Sequence, residues 1–282
     1  MTYLITGATG NIGSLVVEQL LARGIRPRIL VRDLDKARAR FGDRVDVARG
    51  DLEDARSLTP ALAGIDALFL VNSGPELAAR DGAAAAAARS AGVKQLVKLS
   101  TNDAREQIGT GVWHAQGEAA VRASGIPFTF VQPAGFMVNA LWWAPSIKAS
   151  GIVRSPTGDG RIPFIHSADI AAVVVAALTT RDHLGASLNI TGPEALSYAQ
   201  MVAKIGDAIG RRLTYQAISD GEGRQQQLAV GVPAPLAEAR VSIWRAIREG
   251  RLAAVTTEVR RVLGREPLDF DRWAEENAAA FR

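Results

Sequence analysis

The sequence predicts an α/β fold built on a doubly wound parallel sheet. Three observations carry that prediction. Short apolar runs alternate with helical stretches through the first half of the chain. The runs lack the polar alternation of strands that are wet on one face, so both faces are expected to be buried. A glycine-rich turn also joins the first run to an amphipathic helix. At 282 residues, 48% hydrophobic and 22% charged, the chain has enough apolar material for such a core.

Strands are expected over residues 3–6, 27–31, 45–48, 67–71, 95–99 and 128–131. Helices are expected between them at 11–23, 54–63, 76–91 and 112–124, the last three rich in Ala, Glu, Arg and Leu. The alanine tract at 83–88 reads as a helix packed closely on the sheet. Asp33 stands where it can cap a helix over 34–40.

The rhythm changes near residue 135, and the expected division is a nucleotide-type domain over residues 1–135, to which some later segments return, and a smaller, mainly helical substrate lobe over 136–282. Gly and Pro cluster over 151–163, and a helix capped by Ser167 follows at 167–178. A strand is expected at 187–190, a helix from Ser197 to near Gly210, a last strand at 213–216, and charged helices from Gly221 onward.

Composition narrows the chemistry. The absence of cysteine excludes disulfides, thiolate metal sites and thiol nucleophiles. The net charge of +4 raises the question of nucleic acid, but arginines such as Arg38, Arg40 and Arg44 are interspersed with acids. No nucleic-acid partner is expected. No apolar run reaches membrane-spanning length, and the N-terminus opens at once on a strand, so the expected location is the cytoplasm, as a monomer or homodimer. His166 and Asp169 lack a third neighbour of metal-ligand type, and no metal is expected.

The most informative segment is Thr6-Gly7-Ala8-Thr9-Gly10-Asn11-Ile12-Gly13. Gly7 permits a backbone conformation closed to other residues, Gly10 allows approach of a diphosphate, and Gly13 allows the helix to lie close on the strand. Unpaired N–H groups at the helix start then face the phosphates, with Thr9, Asn11 and Ile12 completing the cofactor-binding turn. This is a Rossmann-like arrangement, with the spacing Gly-x-x-Gly-x-x-Gly. At the end of the second strand, Arg32 matches the 2′-phosphate of NADPH, whereas the adjacent Asp33 would suit the free ribose of NADH. NADPH is the favoured cofactor and NADH the alternative.

The glycine turn, Val31-Arg32-Asp33, Arg49-Gly50-Asp51-Leu52, Leu99-Ser100-Thr101, His114 to Glu118, Asp169-Ile170-Ala171 and Thr191-Gly192-Pro193 occur in an order that resembles the NmrA-like family of atypical short-chain dehydrogenases. The chain is similar to the quinone and triphenylmethane-dye reductases of that group. The resemblance implies that Asp51 and Leu52 flank the adenine, that Val71, Asn72 and Ser73 line the middle of the cofactor, and that Pro133 lies beside the nicotinamide.

Most short-chain dehydrogenases protonate their substrate with a Tyr-x-x-x-Lys pair. Here the tyrosines are Tyr3, Tyr198 and Tyr215, followed four residues later by Gly7, Val202 and Ser219. His114 is the best acid candidate, one helical turn before Glu118 and able to donate near neutral pH, or else a cofactor-facing residue without chemistry. Ser100, with Thr101, either polarises a substrate atom or caps the strand. Trp113, Phe136, Met137 and Trp142 offer an apolar wall for a flat substrate, or plain core. The expected activity is NADPH-dependent hydride transfer to a small conjugated acceptor (quinone-like, imine- or iminium-like, or an enone) that absorbs the electrons itself. The alternative is a non-catalytic redox sensor that binds the dinucleotide and signals through a partner; an epimerase with retained cofactor is a third reading, weakened by the missing pair.

Overall fold

The computed structural model describes residues 1–282. Its strands and helices alternate as β1 (Tyr3–Ile5), α1 (Asn11–Ala22), β2 (Arg28–Val31), α2 (Leu34–Phe41), β3 (Asp46–Arg49), α3 (Ala55–Leu62), β4 (Ala67–Leu70), α4 (Leu77–Ser90), β5 (Gln95–Leu99), α5 (Gly111–Ser124) and β6 (Phe128–Pro133). The sequence continues through α6 (Ala144–Ser150), β7 (Ile152–Ser155), β8 (Arg161–Ile162), α7 (Ser167–Thr179), β9 (Ser187–Ile190), β10 (Leu196–Ser197), α8 (Tyr198–Ile209) and β11 (Thr214–Ala217). Helices α9 (Asp220–Ala229), α10 (Ala234–Arg248), α11 (Glu258–Leu263) and α12 (Phe270–Glu276) close the chain. No helix is long and apolar enough to cross a membrane.

Seven strands form one sheet in the order β3-β2-β1-β4-β5-β6-β9. The strand pairs from β3 across to β6 are parallel. β1, β4 and β5 are buried along their whole length, β5 including its polar Gln95 and Lys98. The expectation fails at β3: Asp46 and Arg49 are exposed because this strand is the sheet edge and has no neighbour on its outer side.

The chain divides into two compact units. One comprises Met1–Ala104, Trp113–Gln132 and Ile170–Leu188, and the other Arg105–Val112, Pro133–Asp169 and Asn189–Arg282. In the first, Leu4, Leu68, Leu70, Leu96 and Phe130 of the strands meet Leu58 and Leu62 of α3, Val121 of α5, and Ala84, Ala85 and Ala88 of α4. The alanine tract is thus a packing face. Each buried leucine in such a core is worth about 1.5–3 kcal/mol.

The second unit is nearly as extensive as the first, joining residues 105–112 and 133–169 to the C-terminal segment, while residues 170–188 fold with the first unit. Met137, Ile147, Tyr198, Met201, Phe270, Trp273 and Phe281 belong to its core. The Gly- and Pro-rich stretch, for which no strand was expected, holds β7 and β8, which pair with β11 and β10 far along the sequence. A helix begins at Ser197, as expected, and the structure adds a capping box closed by Gln200. Ser167 does not cap α7. Its hydroxyl is buried without a partner, and His166 Nδ1 takes the Ala168 N–H at 3.1 Å instead.

Candidate functional site

The strand order reverses between β1 and β4, which is where open parallel sheets hold ligands beyond their carboxyl ends. The glycine turn leaves β1 at this point. Gly7 has φ +60°, in the left-handed region, with Val71 Cβ 3.1 Å from where a side chain would begin. A Cβ on Gly13 would collide with the Gly7 carbonyl oxygen, so α1 starts as near β1 as backbone permits. Gly10 is exposed and precedes the first residue of α1, with no side chain to cap the helix. Its Cβ would meet only the Gly7 oxygen, at 3.3 Å. The turn is therefore rigid behind and open in front, and the N–H groups of Asn11, Ile12 and Gly13 start a helix that lacks acidic residues in its first turn.

Thr6 fixes this turn to the end of β4. Its hydroxyl accepts from Val71 N–H at 2.8 Å and donates to the Phe69 carbonyl at 3.1 Å. Val71, Asn72 and Ser73 follow β4 and stand on the other side of the switch point. The Asn72 side chain is engaged internally: its Oδ1 accepts from Ser73 N–H at 2.9 Å and its Nδ2 donates to Asp81 at 3.3 Å. The backbone is largely engaged as well, Val71 N–H with Thr6, Ser73 N–H with Asn72 and the Ser73 carbonyl with Arg80 at 3.3 Å, so the segment offers a ligand chiefly the Ser73 side chain.

At the end of β2, Asp33 Oδ1 accepts the N–H groups of Asp35 and Lys36, each at 3.1 Å, and caps α2. Those hydrogen bonds hold its carboxyl below the usual range. Arg32 is largely exposed, with its guanidinium 3.9 Å from Asp51 Oδ2. Asp51 and Leu52 stand just past β3, where Ser57 Oγ hydrogen-bonds to the Asp51 backbone. The acid that would suit a free ribose is thus spent on a helix, while the base that would suit a 2′-phosphate is held loosely. The residues present fit a dinucleotide diphosphate at the α1 turn and a 2′-phosphate at Arg32.

Ser100, just beyond β5, is buried and donates its hydroxyl to Glu118 Oε1 at 2.6 Å. Gln132 Nε2 donates to the same oxygen at 2.7 Å. One turn before Glu118, the ring of His114 is enclosed although part of the residue reaches the surface, and its Nδ1 has no partner. Burial, together with the charge of Lys98, lowers its pKa to about 3. This corrects the expectation of a histidinium acid near neutral pH: His114 is a neutral imidazole there.

The tyrosines offer no substitute. Tyr3 lies inside β1, Tyr198 is buried in the second unit's core with its ionisation pushed far up by desolvation, and Tyr215 hydrogen-bonds to Thr157 and to the Ser155 carbonyl.

In the second unit, Pro133 is buried at the end of β6. Phe136 is half-buried, and Trp142 is 60% exposed with the Arg240 guanidinium 4.4 Å from its ring. Met137 is 1% exposed and packed in the second unit's core, so of the two expectations for it, apolar wall or plain core, it is plain core. Trp113, in the first unit, is half-buried. Asp169 is fully buried and accepts from Arg265 at 2.6 Å and Leu268 N–H at 2.7 Å, anchoring the C-terminal segment. His166 pairs with Glu276 at 3.1 Å. Sequence reasoning missed a fully buried ion pair, Lys98 with Asp81 at 2.6 Å. The available signal was a lysine inside an apolar strand and an aspartate inside an alanine-rich helix.

Fold and turn together define an α/β protein of the dinucleotide-binding type. The NmrA-like family model matches residues 1–253. The chain is 38% identical to an NAD(P)H azoreductase of Xenophilus azovorans over 99% of its length and 98% of that protein's. It is also 38% identical to a (4-alkanoyl-5-oxo-2,5-dihydrofuran-3-yl)methyl phosphate reductase of Streptomyces griseus, again over 99% and 98%. The NADPH complex of quinone oxidoreductase QOR2 from Escherichia coli superposes with a TM-score of 0.88 at 26% identity, covering 98% of this chain and 99% of that one. The chain belongs to the NmrA-like family.

Proposed function

We propose that this protein is an NADPH-dependent reductase that transfers hydride to a small conjugated acceptor of the quinone, imine or iminium, or enone class. The observation that carries this reading is the dinucleotide turn at the switch point, combined with the lack of a charged proton donor among the candidate polar groups. His114 is neutral, the Ser100 hydroxyl is engaged as a hydrogen-bond donor to Glu118, and the three tyrosines are buried or engaged. An acceptor that takes up two electrons into its own conjugated system needs no strong acid during hydride transfer. The azo, quinone and dihydrofuranone compounds in the names of the relatives and of the structural neighbour share that property.

Bound NADPH supplies the hydride. The backbone N–H groups at the start of α1 hold its diphosphate, Arg32 its 2′-phosphate, and Asp51 and Leu52 flank its adenine. Val71 to Ser73 line its middle. Ser100 and His114 act as oriented dipoles rather than acids. The second unit is the acceptor-binding lobe, and its half-buried Phe136 and exposed Trp142 supply flat apolar surface.

The test is NADPH oxidation against a panel of quinones, azo dyes, cationic dyes and enones, with NADPH deuterated at the transferred position. For the cationic dyes and enones, where the hydride ends on carbon, deuterium in the reduced product is the expected result. For quinones and azo dyes, whose O–D and N–D exchange with water, the expected result is a primary isotope effect on NADPH oxidation. Tight NADPH binding without turnover of any acceptor would replace this reading with that of a redox sensor.

A further inference from the structure

Lys98 and Asp81 are both completely enclosed, and their charged atoms lie 2.6 Å apart. A buried ion pair is weak support for stability, because removing two charges from water offsets most of their attraction. Well-packed apolar residues would serve a core as well. The location of the pair suggests another purpose. Lys98 lies on β5 two residues before Ser100, so alternation puts the two on the same face of the sheet. Asp81 lies on α4, and α5 crosses it at Gly117, where any Cβ would collide with Asp81 Oδ2 and Leu77. The other carboxylate oxygen, Oδ1, accepts from Asn72 Nδ2 at 3.3 Å. Asn72 Oδ1 in turn holds the Ser73 N–H at 2.9 Å and Arg80 at 3.3 Å. One buried carboxylate thus joins β5, α4 and the chain leaving β4.

We propose that Lys98 and Asp81 are positioning residues: Lys98 fixes the Asp81 carboxylate, and Asp81 holds Asn72 and Ser73 in the backbone arrangement that receives the middle of the dinucleotide. The inference rests on the proposed cofactor reading, but the hydrogen-bonded chain is defined without it. Lys98 orients an acceptor and the acceptor orients a loop. Neither side chain touches the reacting atoms.

Two double variants separate a positioning role from a packing role. K98M/D81L removes both charges and the acceptor for Asn72. K98M/D81N removes both charges but keeps an amide oxygen at the acceptor position. The first readout is hydrogen exchange of the Ser73 amide in the unliganded protein, and the second is the KM for NADPH set against kcat. K98M/D81L is expected to exchange Ser73 at least tenfold faster and to raise KM about tenfold with kcat little changed. K98M/D81N is expected to stay within about threefold of the parent in both.

Parent-like exchange and KM in a folded K98M/D81L protein would overturn the proposal, as would equal losses in the two variants. Should K98M/D81L not fold, Asn72→Ala tests the same link from its other end, and an unchanged KM there overturns it. Absence of NADPH binding by the parent protein would remove the functional reading instead, leaving the exchange experiment to decide the role of the pair.

Discussion

Ser100 Oγ and Glu118 Oε1 lie 2.6 Å apart in a buried setting, and the hydroxyl is the donor. Gln132 reaches the same oxygen, and Arg122 stands 3.5 Å from the other one. The Ser100 proton is therefore committed inward, and the hydroxyl works as a fixed dipole. Ser100→Ala is expected to slow hydride transfer by less than tenfold and to lower unfolding stability by about 1.5–3 kcal/mol, the range for one hydrogen bond to a charged group. Stopped-flow oxidation and denaturant titration measure the two. A thousandfold loss of rate would instead make Ser100 the proton donor.

His114 gives the stability a pH dependence of known sign. Its folded pKa is about 3, below the 6.5 of an exposed histidine. Between those values the unfolded chain binds the extra proton, so the contribution of His114 is complete above pH 6.5 and lost as pH falls toward 3. It amounts to as much as roughly 4 kcal/mol over that range. His114→Gln is expected to flatten this part of the profile. The single-turnover rate should show no break from His114 between pH 6 and 8, and a break there that disappears in His114→Gln would contradict the neutral assignment.

The glycine turn separates folding from binding. Gly13→Ala drives a methyl group into the Gly7 carbonyl and is expected to unfold α1 from the strand or to abolish cofactor binding. Gly10→Ala meets only one atom, at 3.3 Å, so the protein should fold. Its methyl group stands on the open side of the turn, and NADPH affinity should fall at least tenfold, as read by quenching of intrinsic fluorescence.

The proposed preference for NADPH is tested at Arg32. Because Asp33 is occupied in capping α2, Arg32→Gln is expected to weaken NADPH by 10- to 100-fold, about 1.4–2.8 kcal/mol, and to leave NADH within about twofold. Equal losses for the two cofactors would mean that Arg32 supports the loop rather than the phosphate.

Much of this was legible in the sequence. The strands β1 to β6 and the glycine turn follow from apolar periodicity and local stereochemistry, and the caps at Asp33 and Ser197 from short-range hydrogen bonding. Contacts between distant residues were not legible. β7 and β8 are too short and too rich in glycine and proline around them to announce themselves, and they exist because β11 and β10 pair with them. The cap at α7 fell to His166 rather than Ser167, a choice made by which side chain faces the helix start. The neutral state of His114 depends on enclosure and on Lys98, sixteen residues earlier in the chain, which no local pattern encodes. The edge position of β3 likewise depends on strand order, not on its own residues.

Calorimetric titration of NADPH into the folded protein, repeated with Gly10→Ala, tests the central claim most directly. A single site that saturates at micromolar concentration in the parent and is weakened at least tenfold in the variant is the expected result. Absence of binding in the parent, or equal binding in the two, would show that the start of α1 does not hold the dinucleotide.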